Sequence, residues 1–386
     1  GEWHSSALAG RRVIIKPNLV LGQSATTGIT TDPEVVRAVV DRALASGAAS
    51  IQIVEHGNGG AHFSACGYDF FSTYDPEGRV ALVDLATVPN SLRRVPSGLA
   101  YNSLYFPDLL FQGNPFVISV AKMKTHLEAM ATLSTKNAIG LLPPTAYAYP
   151  GTNLRYAIHD RGINQSLVDI FQMQPAHFSV VDGIWCMEGM GPVYGTPVRM
   201  DMVVAGANAL AVDQVCLSAM SIPPNRVQHL SYAAALGLGP GSFSGINVLG
   251  DSYTPRAFVQ ADIPPIVYRP WCTPVVFAPS LGQATTTNYW VSEPCQARVE
   301  IVRVSETSPD VQAIRLLHDW ASVDAGHHDQ VWDGRDDAGT IVYPGWYKVR
   351  VQATHGEVAR DAFATGWIGV WDGVTPLTPI SIGDLP

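Results

Sequence analysis

Lysine is scarce in this chain. Of 386 residues only Lys16, Lys122, Lys124, Lys136 and Lys348 are lysine, so arginine carries most of the positive charge. Charged residues of all kinds make up 15% and the formal net charge is -9, which leaves no basic stripe to neutralise phosphates and argues against a nucleic-acid partner. No apolar run reaches the roughly 18 residues that a membrane-spanning helix needs, so no transmembrane segment is expected. A GxGxxG opening a helix is also missing, which removes a dinucleotide site. The five cysteines, Cys66, Cys186, Cys216, Cys272 and Cys295, contain no Cys-x-x-Cys pair, so there is no iron–sulfur or zinc motif and the cofactor stays unassigned, with a divalent metal allowed. Cys272 and Cys295 are candidates for a disulfide in an exported protein or for two buried free thiols. The numbering opens on Gly1 rather than Met, read as a removed leader or a start inside a longer precursor.

What is present is 47% hydrophobic residues in a length that can bury more than one core, one large and one smaller. Arg12–Lys16 is a short apolar strand stopped by Pro17 and Asn18. Thr31-Asp32-Pro33-Glu34 then starts a helix: Asp32 can cap, Pro33 suits the first position and Glu34 suits the positive end of the dipole. Val35, Val36, Val39, Val40, Ala43 and Leu44 keep the helical period, Gly47 closes it, and Ile51–Val54 is the next strand. Strand, helix and strand in this spacing make a βαβ unit with parallel strands and a right-handed crossover.

Lysine concentrates between Asn114 and Gly140. Phe116–Val120 reads as a buried strand; if it stays extended, Lys122, Lys124 and His126 share one face. Further on come an amphipathic helix at Asn164–Met173, a strand at His177–Asp182, a glycine-punctuated loop from Gly183 to Pro192 holding Glu188, and a strand at Met202–Ala205. A helix capped by Asn208 runs to about Met220, another covers Val227–Ala235, and Ile246–Leu249 is a last strand.

Polar groups thus collect where strands end: Lys16 with Asn18, Glu55 with His56, Lys122 with Lys124 and His126, Asp182 with Glu188. Ligands of open parallel sheets bind beyond the carboxyl ends of the strands, so these groups are expected to converge on one crevice. Lys122, Lys124 and Glu188 are the catalytic candidates; Lys16, Asn18, Lys136, Asn137 and Asp182 the ligand-binding ones; His126 and Glu188 a candidate metal pair. Asp213, inside the Asn208 helix, reads better as a buried acid that ties down a neighbouring loop.

The phrases VIIKPNL, TTDPEVVRAVVDRAL, AKMKTH with STKNAIG, and VDGIWCMEGMGPVYGTP followed by ANALAVDQV resemble a bacterial and archaeal family known as the domain of unknown function number 362, over about Arg11 to Gly250. The family lacks a generally assigned reaction. Matching its motifs points to Lys16, Asn18, Lys122, Lys124, His126, Lys136, Asn137, Asp182, Glu188 and Asp213. Some members carry cysteine motifs for two iron–sulfur clusters, which this chain lacks.

From about Thr273 the pattern changes to short alternating strands with turns rich in Gly, Asp and Pro, a β-sandwich signature. AGHHDQVWDGRDDAGTIVYPGWYKVRV resembles the immunoglobulin-like module of flagellar hook-capping proteins. His327 and His328, adjacent on a strand, point to opposite faces and do not share an ion. The expectation is an α/β region with a mostly parallel sheet flanked by helices over residues 1–256, a linker over 257–272, a smaller all-β immunoglobulin-like sandwich over 273–372 and an extended tail over 373–386. The function expected is an exported protein, periplasmic, cell-surface or extracellular, that binds an anionic small molecule with or without a metal. The alternative is a structural subunit of an extracellular assembly, a homo-oligomer joined through the tail.

Overall fold

The computed structural model describes residues 7–56, 61–148, 155–261, 264–304, 311–355 and 362–380. β1 (Arg12–Pro17) passes through α1 (Pro33–Ala45) to β2 (Ser50–Glu55), and the two strands are parallel neighbours. Asp32 caps α1, its Oδ1 accepting from the Glu34 amide at 2.9 Å. α2 (Ala61–Ala65) precedes β3 (Val80–Asp84), which extends the sheet beyond β2, while β4 (Asn90–Arg94) and β5 (Ser103–Pro107) pair apart from it. β6 (Phe116–His126) returns to the other side of β1, and the short β7 (Met130–Thr132) folds back against its end. After α3 (Ser134–Asn137), α4 (Pro144–Tyr147), α5 (Tyr156–Asp160) and α6 (Ile163–Met173), β8 (Phe178–Glu188) adds in parallel to β6 and β9 (Thr196–Gly206) in antiparallel to β8. α7 (Ala209–Met220) and α8 (Gln228–Ala235) follow.

The order β3-β2-β1-β6-β8-β9 reverses direction between β1 and β6. That switch point separates two strand ends whose connections leave to opposite sides, the place where open parallel sheets bind ligands. Both faces of the central strands β1, β6 and β8 are buried, which is why they are largely apolar without alternation, whereas the edge strand β9 alternates. Val13, Ile15, Ile51 and Ile53 pack with Val36 and Val40 of α1, while Ile14, Val54 and Val117 join a second cluster with Leu167 and Ile170 of α6 and Leu210 and Leu217 of α7.

Two sequence expectations fail here. The Gly183–Pro192 stretch is not all loop, because β8 continues to Glu188 and pairs with β9; glycines at a strand bulge look the same as loop glycines in one dimension. Ile246–Leu249 forms no strand; its four residues are irregular and pair with no strand of the sheet.

The second region is all β. β10 (Val267–Thr273), β12 (Thr285–Val291) and β15 (Gly326–Trp332) form one antiparallel sheet. β11 (Val276–Phe277), β17 (Ala362–Val370), β16 (Gly345–Thr354), β13 (Cys295–Val304) and β14 (Val311–Val323) form the other, in that order. Trp332, Tyr289 and Val291 from the first sheet share one apolar cluster with Phe277, Tyr347, Val349 and Ile368 from the second. β10 begins inside the stretch expected to be a linker. Cys272 and Cys295 are both free, buried thiols. His327 and His328 bond outward to different partners, the Asn288 Oδ1 at 3.1 Å and the Asp324 carbonyl at 2.8 Å.

The tail, as far as it is described, lies on its own chain. Trp346 Nε1 donates to the Thr378 carbonyl at 2.8 Å, and Leu377 covers Gly369 of β17. Residues 381–386 fall outside the described residues.

Candidate functional site

The strand ends meet at the switch point, and the side chains there are buried rather than lining an open cleft. Lys16, at the end of β1, donates to Glu55 Oε2 at 2.6 Å and to the Pro17 carbonyl at 2.6 Å. Glu55 is held in turn by the amides of Leu19 (3.1 Å) and His56 (2.9 Å). A Cβ on Gly140 would stand 2.6 Å from Lys16 Nζ, so the turn after α3 needs a glycine for the pair to form beneath it. Lys122 repeats the device: its Nζ lies 2.8 Å from Asp182 Oδ2, and Asp182 also accepts from the Asp32 amide at 2.8 Å and the Ile184 amide at 3.0 Å. These acids have enough donors for their lone pairs, which is the condition for a buried ion pair to persist.

Asn18 and Asn137 stitch the two sides together. Asn18 Nδ2 donates to Asn137 Oδ1 at 3.2 Å, and Asn137 Nδ2 donates to the Lys16 carbonyl at 2.9 Å and to Ser119 Oγ at 3.0 Å. Asn137 belongs to α3, a single turn whose first amides, Ser134 (2.7 Å) and Thr135 (2.8 Å), are both accepted by Asp213. Asp213 therefore does anchor a neighbouring segment. Burial pushes its carboxyl up to about 7, against the hydrogen bonds from Thr135 and Ser134.

Lys124 and Lys136 differ from the paired lysines. Lys124 is completely buried and donates to the Ile29 carbonyl at 2.6 Å. Burial holds its pKa well below the usual lysine range, and the charges of Lys136, Lys122 and Lys16 lower it further. Lys136 projects from α3 and makes no hydrogen bond through its nitrogen among the described residues. Burial brings its pKa down to about 8, opposed by the charge of Glu128.

The charge of Lys136 acts on two histidines that burial holds neutral, His126 and His229. His126 Nδ1 accepts from the amides of Glu128 and Ala129, both at 3.1 Å, which leaves the ring proton on Nε2. Its pKa falls well below the ordinary value through burial first and then the charges of Lys136, His159, Lys124 and His229. His229, in the first turn of α8, is pushed to about 3 by burial and by Lys136, and its Nδ1 is 3.1 Å from Asn164 Oδ1. His159 stacks on His126 at 6.1 Å between centroids and pairs with Glu128 at 2.6 Å.

Glu188 has a different post. Its oxygens meet Arg256 Nη2 at 3.3 Å and the Val259 amide at 3.0 Å, so this acid fastens the 256–259 segment. Among the described residues no group of three or more His, Cys, Asp or Glu side chains is arranged to hold a metal ion. No helix among the described residues is long and apolar enough to cross a membrane. Strand-end reasoning passed over Glu128, His159, Asn164 and His229; the signal available was the polar pair Gln228-His229 opening a helix.

Residues 13–218 match the family model described as a domain of unknown function (DUF362). The chain belongs to the DUF362 family. A similar protein, the thylakoid-associated protein sll1697 of Synechocystis sp., is 26% identical over 232 residues, 60% of this chain and 70% of that one. Likenesses to solved structures are remote. The alkylpurine DNA glycosylase AlkC of Pseudomonas fluorescens aligns with 27% of this chain and 30% of its own at 18% identity and a TM-score of 0.19. A family 123 glycoside hydrolase from Clostridium perfringens aligns with 24% of this chain and 22% of its own at 9% identity and a TM-score of 0.15. Neither carries an argument about this DUF362 protein. The DUF362 match ends within α7, so it contains every strand-end side chain described above except His229 and Arg256.

Proposed function

We propose that the DUF362 region binds a small anionic molecule at the switch point, with Lys136, Lys124 and His126 as its donors. The observation that carries this is the Lys136 side chain, 7% exposed and with no hydrogen-bond acceptor for its nitrogen among the described residues, whose charge acts on a second lysine bound only to a carbonyl. An uncompensated ammonium is costly to bury, and a ligand anion supplies what the protein withholds. Lys16 and Lys122 already have Glu55 and Asp182, so they frame the site rather than receive the ligand. A metal held by His126 and Glu188 is not part of this reading, because Glu188 is committed to Arg256 and Val259.

The proposal extends to the second region, whose two sheets on a common core support an immunoglobulin-like module of an exported protein. The tail resting on its own sheet gives the assembly alternative no support. The test is thermal unfolding in graded inorganic phosphate, sulfate and acetate at constant ionic strength. One of these anions raises the melting temperature in proportion to the logarithm of its concentration, and Lys124→Met with Lys136→Met abolishes the rise. Identical melting in all of them sinks the reading.

A further inference from the structure

We propose that Lys136 is a nucleophilic amine that captures the carbonyl carbon of a small anionic aldehyde or ketone, which rests on the anion site above and adds a covalent step to it. All five lysines of the chain are buried. They differ in what holds the nitrogen. Lys16 is tied to Glu55, Lys122 to Asp182 and Lys124 to the Ile29 carbonyl. Lys348 sits 3.9 Å over the Trp367 ring. To attack a carbon, each of these would first have to abandon a buried partner. Lys136 has none to abandon among the described residues.

Its backbone is fixed as well. α3 is clamped at its start by Asp213 and through Asn137 to β1, so the side chain leaves from a rigid base. Its charge acts on Lys124 and His126 of β6 and on His229 of α8, and that of Glu128 in the β6–β7 turn, itself paired with His159 of α5, acts on it in return. Lys124 and the His126 Nε2 proton suit the anionic end of a ligand, which leaves its carbonyl to Lys136. Burial, by favouring the uncharged amine, works in the same direction.

The step balances without a redox partner. The nitrogen lone pair forms the N–C bond while the carbonyl π pair moves to oxygen; the carbinolamine then expels that oxygen as water with both protons from the nitrogen, leaving an imine. Glu128, whose charge acts on Lys136 and whose Oε2 is held by His159 at 2.6 Å, is the acid assigned to carry a proton between nitrogen and oxygen.

The experiment treats the full chain with glyoxylate and sodium cyanoborohydride near pH 8 and maps the reduced adducts by peptide mass, the N-terminal amine being counted separately. We expect one adduct per chain at Lys136, none at Lys16, Lys122, Lys124 or Lys348, suppression by inorganic phosphate, and no adduct in a folded Lys136→Arg variant. Labelling spread over several lysines, or none at Lys136, overturns the inference. If phosphate still raises the melting temperature of the unmodified protein while Lys136 stays unlabelled, only the covalent step falls; if neither is seen, the anion site falls with it.

Discussion

The two regions bury charge for different purposes. In the α/β region four lysines and their acids gather at one rim of one sheet, at the point where strand order reverses. In the all-β region the buried charges are few and serve packing. Glu300 pairs with Arg350 across adjacent strands, and Lys348 reaches out of its own sheet to lie between Trp367 and Tyr101 of the first region. There it joins a seam in which Gln165 and Thr365 exchange two hydrogen bonds of 3.0 Å. The lesson is that a buried cation is informative only once its partner is known. Where an acid or ring is supplied the charge is structural; where none is supplied among the described residues, as at Lys136, the cation is the candidate for the ligand proposed above.

The largest effect should come from breaking a completed pair. Lys122→Ala leaves Asp182 buried without its cation, and a loss of about 3–5 kcal/mol in denaturant unfolding is expected. A loss below about 1 kcal/mol would mean that the two backbone amides on Asp182 suffice. Lys348→Met should cost about 2 kcal/mol, the scale of a desolvated cation–π contact, and should loosen the seam enough to raise hydrogen exchange at Thr365. Removing residues after Asp372 should cost about 1 kcal/mol, since among the described residues the losses are the Trp346–Thr378 hydrogen bond, the Leu377 contact and two exposed local bonds to Asp372, and should leave the oligomeric state in gel filtration unchanged.

Smallest of all is Lys136→Met without ligand, expected within about 1 kcal/mol of the parent, or more stable, because no partner is stranded. A large loss would place Lys136 among the structural lysines. The pH dependence sharpens the same contrast. Lys136 releases its proton near 8 when folded against 10.5 in its ordinary state, so between those values the unfolded chain binds more protons and ligand-free stability rises with pH. Anion-induced stabilisation runs the other way, present below about 8 and fading above it. On the acid side His229 stays neutral down to about 3 against an ordinary 6.5, so its contribution is lost as pH falls from about 6.5 towards 3; His229→Asn should flatten that limb of the stability curve.

Much of this was legible in one dimension. The Asp-Pro-Glu start of α1, the βαβ unit and the clustering of lysines at strand ends all rest on local chemistry, and they reappear at the positions expected. Glu188 was misplaced in role because an acid in a glycine-rich stretch looks free until Arg256 and Val259 arrive from a distant segment. His229 and Asn164 were overlooked because each is an ordinary polar residue of a helix end until two helices bring them within 3.1 Å.

The amino-acid order by itself determined elements such as β1, α1 and β2, the family and the scarcity of lysine, since period, capping and turn chemistry act over a few residues. Only the tertiary structure decided which lysines are satisfied. Partners such as Lys16 with Glu55 and Lys122 with Asp182 are far apart along the chain and become neighbours solely through parallel strand pairing, so the lack of an acceptor for Lys136 among the described residues is legible only once those pairs have formed.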